Sequence, residues 1–258
     1  MIYLDTTEKI ANHPRIREET MNVLILNGSA RGQKGVTGRL LRSFVEGLND
    51  GDAGVTAFDV ASLNISLCTA CLSCMHKTLG ECAVRDDMED IYKEMKRSDI
   101  MVLATPVYLD NMSAQLKKVM DRSISGMQGF LTKDRFGRAR HLYSWRMPAK
   151  FVLISTSGFP EMETFEPLIA TYRAQALNFG SEAIAEICVP GSIAIQMEPE
   201  RLDRHLGLIK EAGKEIALKG SIHPETLKGL NTPPLTVDQY FTAAAKYESW
   251  LRKKLEPS

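Results

Sequence analysis

The densest chemistry in this 258-residue chain is a run of thiols. Four of its five cysteines, Cys68, Cys71, Cys74 and Cys82, fall in one short stretch with the spacing C-x2-C-x2-C-x7-C. Thiols this close oxidise and mispair unless something holds them, and the spacing brings all four within reach of one centre. Four thiolates around an iron–sulfur cluster is the first reading of such a set. A tetrahedral zinc site is the second, a disulfide cluster the third, and a chance group of buried cysteines the fourth. His76, inside the run, is a residue type that can replace a thiolate ligand, although a solvated side chain is the plainer reading. Cys188 stands alone in an apolar run and reads as a buried small hydrophobe.

A second group of residues suits an anion. The segment from Gly28 to Thr37 carries glycines at 28, 32 and 35, hydroxyls on Ser29 and Thr37, and the guanidinium of Arg31. It follows a short apolar run and precedes a helical pattern. Backbone N–H groups and the helix dipole converge at such a junction and favour phosphate. The spacing is neither G-x-x-x-x-G-K-[ST] nor G-x-G-x-x-G, which disfavours a nucleoside-triphosphate loop and a standard dinucleotide fingerprint. A monophosphate fits better. Two further loops end in residues suited to a flat ring: Pro106 and Tyr108 as a wall, and Ser155, Thr156, Ser157 and Gly158 as hydroxyl and backbone donors. A phosphate cradle with two ring-edge loops describes a flavin mononucleotide (FMN) site.

The elements that must position these groups follow from hydrophobic pattern. Short apolar runs at 21–27, 55–60, 98–106, 150–158 and 182–189 read as buried strands. Helical spacing covers 36–48, 86–97, 113–121 and 163–179. Strands alternating with helices predict a parallel sheet covered on both faces, an α/β doubly wound fold. Ligands in such folds sit beyond the carboxyl ends of the strands, where the three flavin-suited loops fall. The cysteine loop, 67–85, follows the second strand and is expected beside those strand ends, where it would relay electrons. Residues 1–20 read as an N-terminal extension, 21–195 as the core domain, 123–147 as an insertion, and 196–258 as a helical extension with helices at 201–218 and 237–255.

Bulk composition excludes some partners. Lysine plus arginine equals aspartate plus glutamate, 32 each, which gives no sign of nucleic-acid binding. No run approaches the roughly eighteen apolar residues of a membrane span. The first residues lack a basic segment followed by an apolar one, so a cytoplasmic protein with reduced or metal-bound thiols is expected.

Taken in chain order, Asn27-Gly28-Ser29-Ala30-Arg31, Gly35-Val36-Thr37-Gly38-Arg39-Leu40, Thr105-Pro106-Val107-Tyr108, the segment Gln115 to Arg122, and Ser155-Thr156-Ser157-Gly158 resemble the flavodoxin-like NADPH-dependent FMN reductases. The cysteine run followed by Asp86-Asp87-Met88 resembles the iron–sulfur flavoprotein branch of that superfamily. The resemblance covers about residues 21–190. It implies a five-stranded parallel sheet of order 2-1-3-4-5 with helices on both faces. It implies FMN, with its phosphate on Ser29, Arg31, Val36 and Thr37. Pro106, Val107, Tyr108 and Asn111 would line the ribityl chain and ring, and Ser155, Thr156, Ser157 and Gly158 the ring edge. It implies a [4Fe-4S] cluster on Cys68, Cys71, Cys74 and Cys82, and a homodimer or homotetramer. Two positions depart from the pattern: Ala30 stands where proline is frequent, and Val36 where asparagine is frequent, which removes one side-chain donor from the phosphate loop.

The expected activity is transfer of electrons from NAD(P)H through FMN to a quinone, flavin or other small acceptor. The alternative is an electron carrier with both centres that accepts electrons from ferredoxin. A redox sensor or zinc-stabilised binding protein is more distant. No catalytic nucleophile is required, because the cofactor carries the chemistry. The basic, aromatic-rich segment 133–146 reads as an arm at an oligomer contact, or as a cap that binds the 2′-phosphate of NADPH. Lys117, Asp121 and Arg122 read as fold-supporting ion pairs.

Overall fold

The structure, a computed structural model, describes residues 20–255; the expected N-terminal extension therefore lies outside the described residues except for Thr20. Its strands are β1 (Asn22–Asn27), β2 (Gly54–Asp59), β3 (Ile100–Pro106), β4 (Met127–Lys133), β5 (Ala139–Tyr143), β6 (Lys150–Thr156) and β7 (Glu182–Val189). Its helices are α1 (Val36–Asp50), α2 (Ser73–His76), α3 (Met88–Arg97), α4 (Ala114–Arg122), α5 (Glu166–Asn178), α6 (Ser192–Met197), α7 (Asp203–Lys219), α8 (Pro224–Leu230) and α9 (Val237–Leu255).

Five strands form one parallel sheet in the order β2-β1-β3-β6-β7. The fourth and fifth strands of this sheet are numbered β6 and β7 because two strands that the apolar runs did not show come before them in the chain. β4 and β5 pair antiparallel as a separate hairpin. They occupy the segment that the sequence marks only as an insertion, since β4 is exposed over most of its length and lacks the apolar run of a buried strand.

Alternate residues of each central strand feed opposite faces, as the pleat requires. Val23 and Ile25 of β1, Val102 of β3 and Ile154 of β6 pack on one face with α1, α7 and the ends of α8 and α9. Leu24, Leu26, Leu103 and Leu153 pack on the other with α3, α4 and α5. All eight are at most 1% exposed. Burial on both faces is why these strands read as continuous apolar runs rather than alternating ones.

The helical stretch after residue 196 does not hang off the sheet edge. α7 lies across α1, and glycine makes the crossing close. A Cβ at Gly47 would lie 1.8 Å from the Lys210 carbonyl oxygen, and one at Gly213 would lie 2.3 Å from that of Phe44. Ile209, Ala212 and Ile216 of α7 are fully buried in the same core as Leu40 and Phe44 of α1. Further along, Glu215 accepts hydrogen bonds from the His223 N–H at 2.8 Å and the Thr226 hydroxyl at 3.0 Å. It thereby satisfies donors at the start of α8.

Candidate functional site

The loop after β1 is built to leave donors open. Gly35 precedes α1 and offers no side-chain cap, so the first N–H groups of a 15-residue helix face outward with the positive end of its dipole. Ser29 is buried and its Oγ accepts from the Arg31 N–H at 3.3 Å. Asn27, at the end of β1, donates to Asp59 at 2.7 Å and accepts from the Ser29 N–H at 3.1 Å. That pins the start of the loop to the end of β2. On the other side Ser113 donates to the Gly28 carbonyl at 2.6 Å while capping α4 through the Leu116 N–H. The approach is tight enough to demand glycine: a Cβ at Gly28 would sit 2.6 Å from that of Leu116.

A cleft of about 540 Å³ opens at this point, over the carboxyl ends of β1, β3 and β6. Ser29, Arg31, Val36, Thr37, Pro106, Val107, Tyr108, Thr156, Ser157 and Gly158 line it. Ten of the twelve residues expected at a flavin site thus converge. The other two do not. Ser155 is fully buried and donates to the Thr105 carbonyl at 2.7 Å, within the sheet. Asn111 donates to the Thr171 hydroxyl at 3.0 Å and accepts from the Met112 N–H. Both support the cleft from behind.

At the cleft floor the Thr37 and Thr156 hydroxyls meet, 3.0 Å apart and buried. At the rim, Tyr108 and Asn111 close a tight turn through bonds of 2.9 and 3.3 Å. Leu109 and Asp110 hold its two central positions with φ of 44° and 65°. Two consecutive non-glycine residues in the left-handed region store strain, and Leu109 is 99% exposed beside the cleft.

Sequence reasoning missed Thr164, Ser192, Ile193 and Gln196, which also line the cleft. Gln196 accepts from the Arg31 guanidinium at 2.9 Å and so holds it across the opening. The available signal was Pro190-Gly191, which ends β7 and places another loop at a strand end. The following helix, α6, is only six residues long, too short to show helical periodicity. No residue of the β4–β5 hairpin lines the cleft. Arg138 and Arg140 pair instead with Asp134, at 2.9 and 3.2 Å.

The cysteine loop is held by a buried ion pair. Arg122 and Asp86 are 1% and 3% exposed and meet at 2.8 Å. Arg122 also donates to the carbonyls of Ser66 and Val84, at 2.9 and 3.2 Å. Asp86 accepts from the Ser66 and Met88 N–H groups. One pair therefore ties the chain before Cys68 to the chain after Cys82. Burial opposes the Asp86 charge, but the Arg122 and backbone hydrogen bonds outweigh it and hold its pKa below the usual value. Burial likewise opposes the charge of Arg122, and the bonds to Asp86 more than offset it.

All four thiols line one small cavity of about 70 Å³, together with Arg122, Ile124 and Ser125. Ala70 and Leu72 wind the loop around it with φ of 51° and 53°. Cys74 is buried, which pushes its thiol pKa up, and the neighbouring Cys82, Cys71 and Cys68 push it further. Cys71 is exposed, and hydrogen bonds from the backbone and hydroxyl of Ser73 and the hydroxyl of Thr69 pull its pKa down. Among the described residues no three His, Cys, Asp or Glu side chains stand close enough to hold one metal ion. Single-ion spacing suits zinc, whose thiolates all sit about 2.3 Å from one centre. A cluster with several irons gives each thiolate its own metal and accepts a wider set. The four thiols here share one cavity without the close spacing of a single-ion site among the described residues.

The two sites share no lining residue. Ser113, just before α4, holds Gly28 beside the first, and Arg122, at the end of α4, lines the second together with Ile124 and Ser125.

Residues 21–144 match the model of the family described as NADPH-dependent FMN reductase. An iron-sulfur flavoprotein of Methanocaldococcus jannaschii is 34% identical over 119 residues, which are 46% of this chain and 60% of that protein. One from Archaeoglobus fulgidus is 31% identical over 124 residues, covering 48% and 55%. The chain thus spans little more than half the length of these relatives. Among solved structures, an FMN-dependent NADH-azoreductase from Bacillus anthracis in complex with FMN superposes with a TM-score of 0.59 at 16% identity, over 76% of this chain and 99% of that one. An NAD(P)H:quinone oxidoreductase from Methanothermobacter marburgensis gives 0.57 at 18% identity, over 77% and 98%. At these identities the two structures speak for the fold. Over about half of its length the chain is thus similar to the NADPH-dependent FMN reductase family and to iron-sulfur flavoproteins, and it shares a fold with the two solved reductases.

Proposed function

We propose that this protein is an FMN-dependent oxidoreductase that takes electrons from NAD(P)H and passes them to a quinone, flavin or other small acceptor. The observation that carries this reading is the convergence of Ser29, Arg31, Thr37, Thr156 and the open start of α1 on one cleft. Hydroxyls, a guanidinium and helix N–H groups are a donor set for a phosphate monoester. The cleft volume is in the range of small-molecule sites.

When bound, FMN supplies the hydride and electron chemistry. The chain supplies the rest. Ser29, Arg31 and Thr37 hold the phosphate at the floor. Pro106, Val107 and Tyr108 form one wall and Phe159 and Ile193 another, which keeps water from the ring. Gly158 leaves one edge open to backbone approach. Its glycine is not forced by packing, since a Cβ there would meet only Ile193 at an ordinary 3.6 Å. The exposed ring of Tyr108 and the strained turn at Leu109 are placed to meet the second substrate.

The four thiols facing one cavity favour a second redox centre, as the names of the M. jannaschii and A. fulgidus relatives suggest. Cys68, Cys71, Cys74 and Cys82 would ligate a [4Fe-4S] cluster, which supplies one-electron transfer when bound. In that form the protein accepts single electrons from a carrier such as ferredoxin. The exposed Phe130, Leu131 and Phe136 of the β4–β5 hairpin suit an arm of a homodimer or homotetramer. No helix among the described residues is long and apolar enough to cross a membrane, and the reading is of a cytoplasmic protein.

Anaerobic mixing of the FMN-loaded protein with NADPH and NADH tests the main reading. Bleaching of the flavin absorbance by either nucleotide is expected. If neither bleaches it, NAD(P)H is not the donor. Iron and acid-labile sulfide analysis after anaerobic purification tests the second centre.

A further inference from the structure

Two buried donors beside the thiol cavity lack acceptors. Arg122 Nε and Ser125 Oγ are inaccessible, and neither finds a hydrogen-bond partner among the described residues. Both residues are 1% exposed, and both line the cavity formed by the four cysteines. Burying one unpaired donor costs stability, and two at one place is uncommon. The guanidinium does not lack partners in general: its other nitrogens serve Asp86, Ser66 and Val84. Only the Nε is left over. The Tyr92 hydroxyl, whose own proton goes to the Arg122 carbonyl at 2.8 Å, lies near enough to Ser125 and to the Arg122 side chain for both to favour its ionisation, but neither Ser125 Oγ nor Arg122 Nε meets it in hydrogen-bond geometry.

We propose that Arg122 and Ser125 are positioning residues for the group bound by the four thiolates, and that their free N–H and O–H donate hydrogen bonds to its sulfur atoms. Sulfur in such a centre gains negative charge on reduction. Donors fixed in a dry cavity therefore favour the reduced state and raise the reduction potential. Arg122 has two functions at once. Its fork fastens the loop ends to Asp86, and its remaining edge sets the electrostatics of the cavity that the loop encloses. The inference rests on the reading of the cysteine loop as an iron–sulfur site.

The test is a spectroelectrochemical titration of the anaerobically reconstituted protein, followed near the thiolate-to-iron absorption, with S125A as the main variant. Ser125→Ala removes one hydroxyl, leaves the Arg122–Asp86 pair untouched and keeps the cysteines. Iron and sulfide content should equal that of wild type. At a fixed applied potential the reduced-to-oxidised ratio of the cluster should fall roughly two- to tenfold, the scale of one hydrogen bond, while the flavin titration is unchanged. R122K keeps the positive charge and removes Nε, and should shift the ratio in the same direction. If R122K fails to fold, S125A still decides. A fully loaded S125A protein with the wild-type ratio would overturn the proposal and leave the iron–sulfur reading intact. A folded wild-type protein that binds no iron and sulfide on reconstitution would overturn that reading, and the proposal with it.

Discussion

The hydroxyl oxygens of Thr37 and Thr156 lie 3.0 Å apart at the floor of the cleft, although 119 positions separate them in the chain. One opens α1, and the other ends β6. Their contact joins the start of α1 to the end of β6, so a single ligand can touch both. Thr37→Val keeps the shape and removes the hydroxyl. Paired with Ser29→Ala, it should weaken FMN binding roughly ten- to hundredfold, the scale of charge-assisted hydrogen bonds. Flavin fluorescence quenching measures it. Unchanged affinity in the double variant would mean that the phosphate binds elsewhere.

The Arg122–Asp86 pair makes a different prediction. Asp86→Asn leaves a buried guanidinium without its counter-charge. Breaking a buried pair from one side costs about 3–5 kcal/mol. The urea midpoint should drop accordingly, and limited proteolysis should cut first within residues 67–85. Acid should act on the same pair. Asp86 has a depressed folded pKa, so its contribution is present above the unfolded carboxyl value, near 3.9. It is lost as pH falls through the lower folded value.

His205 extends pH sensitivity toward neutrality. Its Nε2 bonds the Thr232 carbonyl at 2.6 Å, its Nδ1 finds no partner among the described residues, and burial pushes its pKa down. The unfolded chain takes up this proton near pH 6.5, and the folded state resists it. Stability from this group is therefore present above about pH 6.5 and lost as pH falls through the folded value. Urea midpoints at pH 7.5 and 5.5 should differ more in wild type than in H205Q. Equal differences would show that another group carries the slope.

The turn at the cleft rim is strained without glycine. Leu109 is exposed and has no packing to lose. Leu109→Gly should raise stability by roughly 0.5–1 kcal/mol, the left-handed penalty less the entropy of glycine. If Leu109 meets the second substrate, the same variant should raise KM for the nucleotide or acceptor and leave FMN affinity unchanged.

The α1–α7 crossing should tolerate no side chain. Gly47→Ala would drive a Cβ into the Lys210 carbonyl. A loss of more than about 2 kcal/mol is expected from overpacking against backbone that cannot rotate away. The thermal midpoint reads it directly. A near-neutral G47A variant would mean that α7 rests on α1 more loosely than the structure places it.

The apolar runs of β1, β3 and β6 and the periodicity of α1, α3 and α4 were legible because burial on two faces, or along one stripe, leaves its pattern in local sequence. So was the loop from Gly28 to Thr37, whose cleft-lining polar groups are neighbours in the chain. What the local pattern could not carry was relative placement. Ser155 and Thr156 are adjacent, but the pleat turns the first into the sheet and the second into the cleft. The β4–β5 hairpin buries too little to show periodicity, and α6 is too short. Gln196 reaches Arg31 across 165 positions, which no spacing rule anticipates. The spacing of the cysteine run brought its four thiols to one cavity. Its position was decided by Arg122 and Asp86, 36 positions apart. Their ion pair draws the loop to the far end of α4, and it brings two unpaired donors to the thiols. Chemistry that resides in one segment is written in the sequence. Chemistry that depends on which segments meet is settled only when the core has packed.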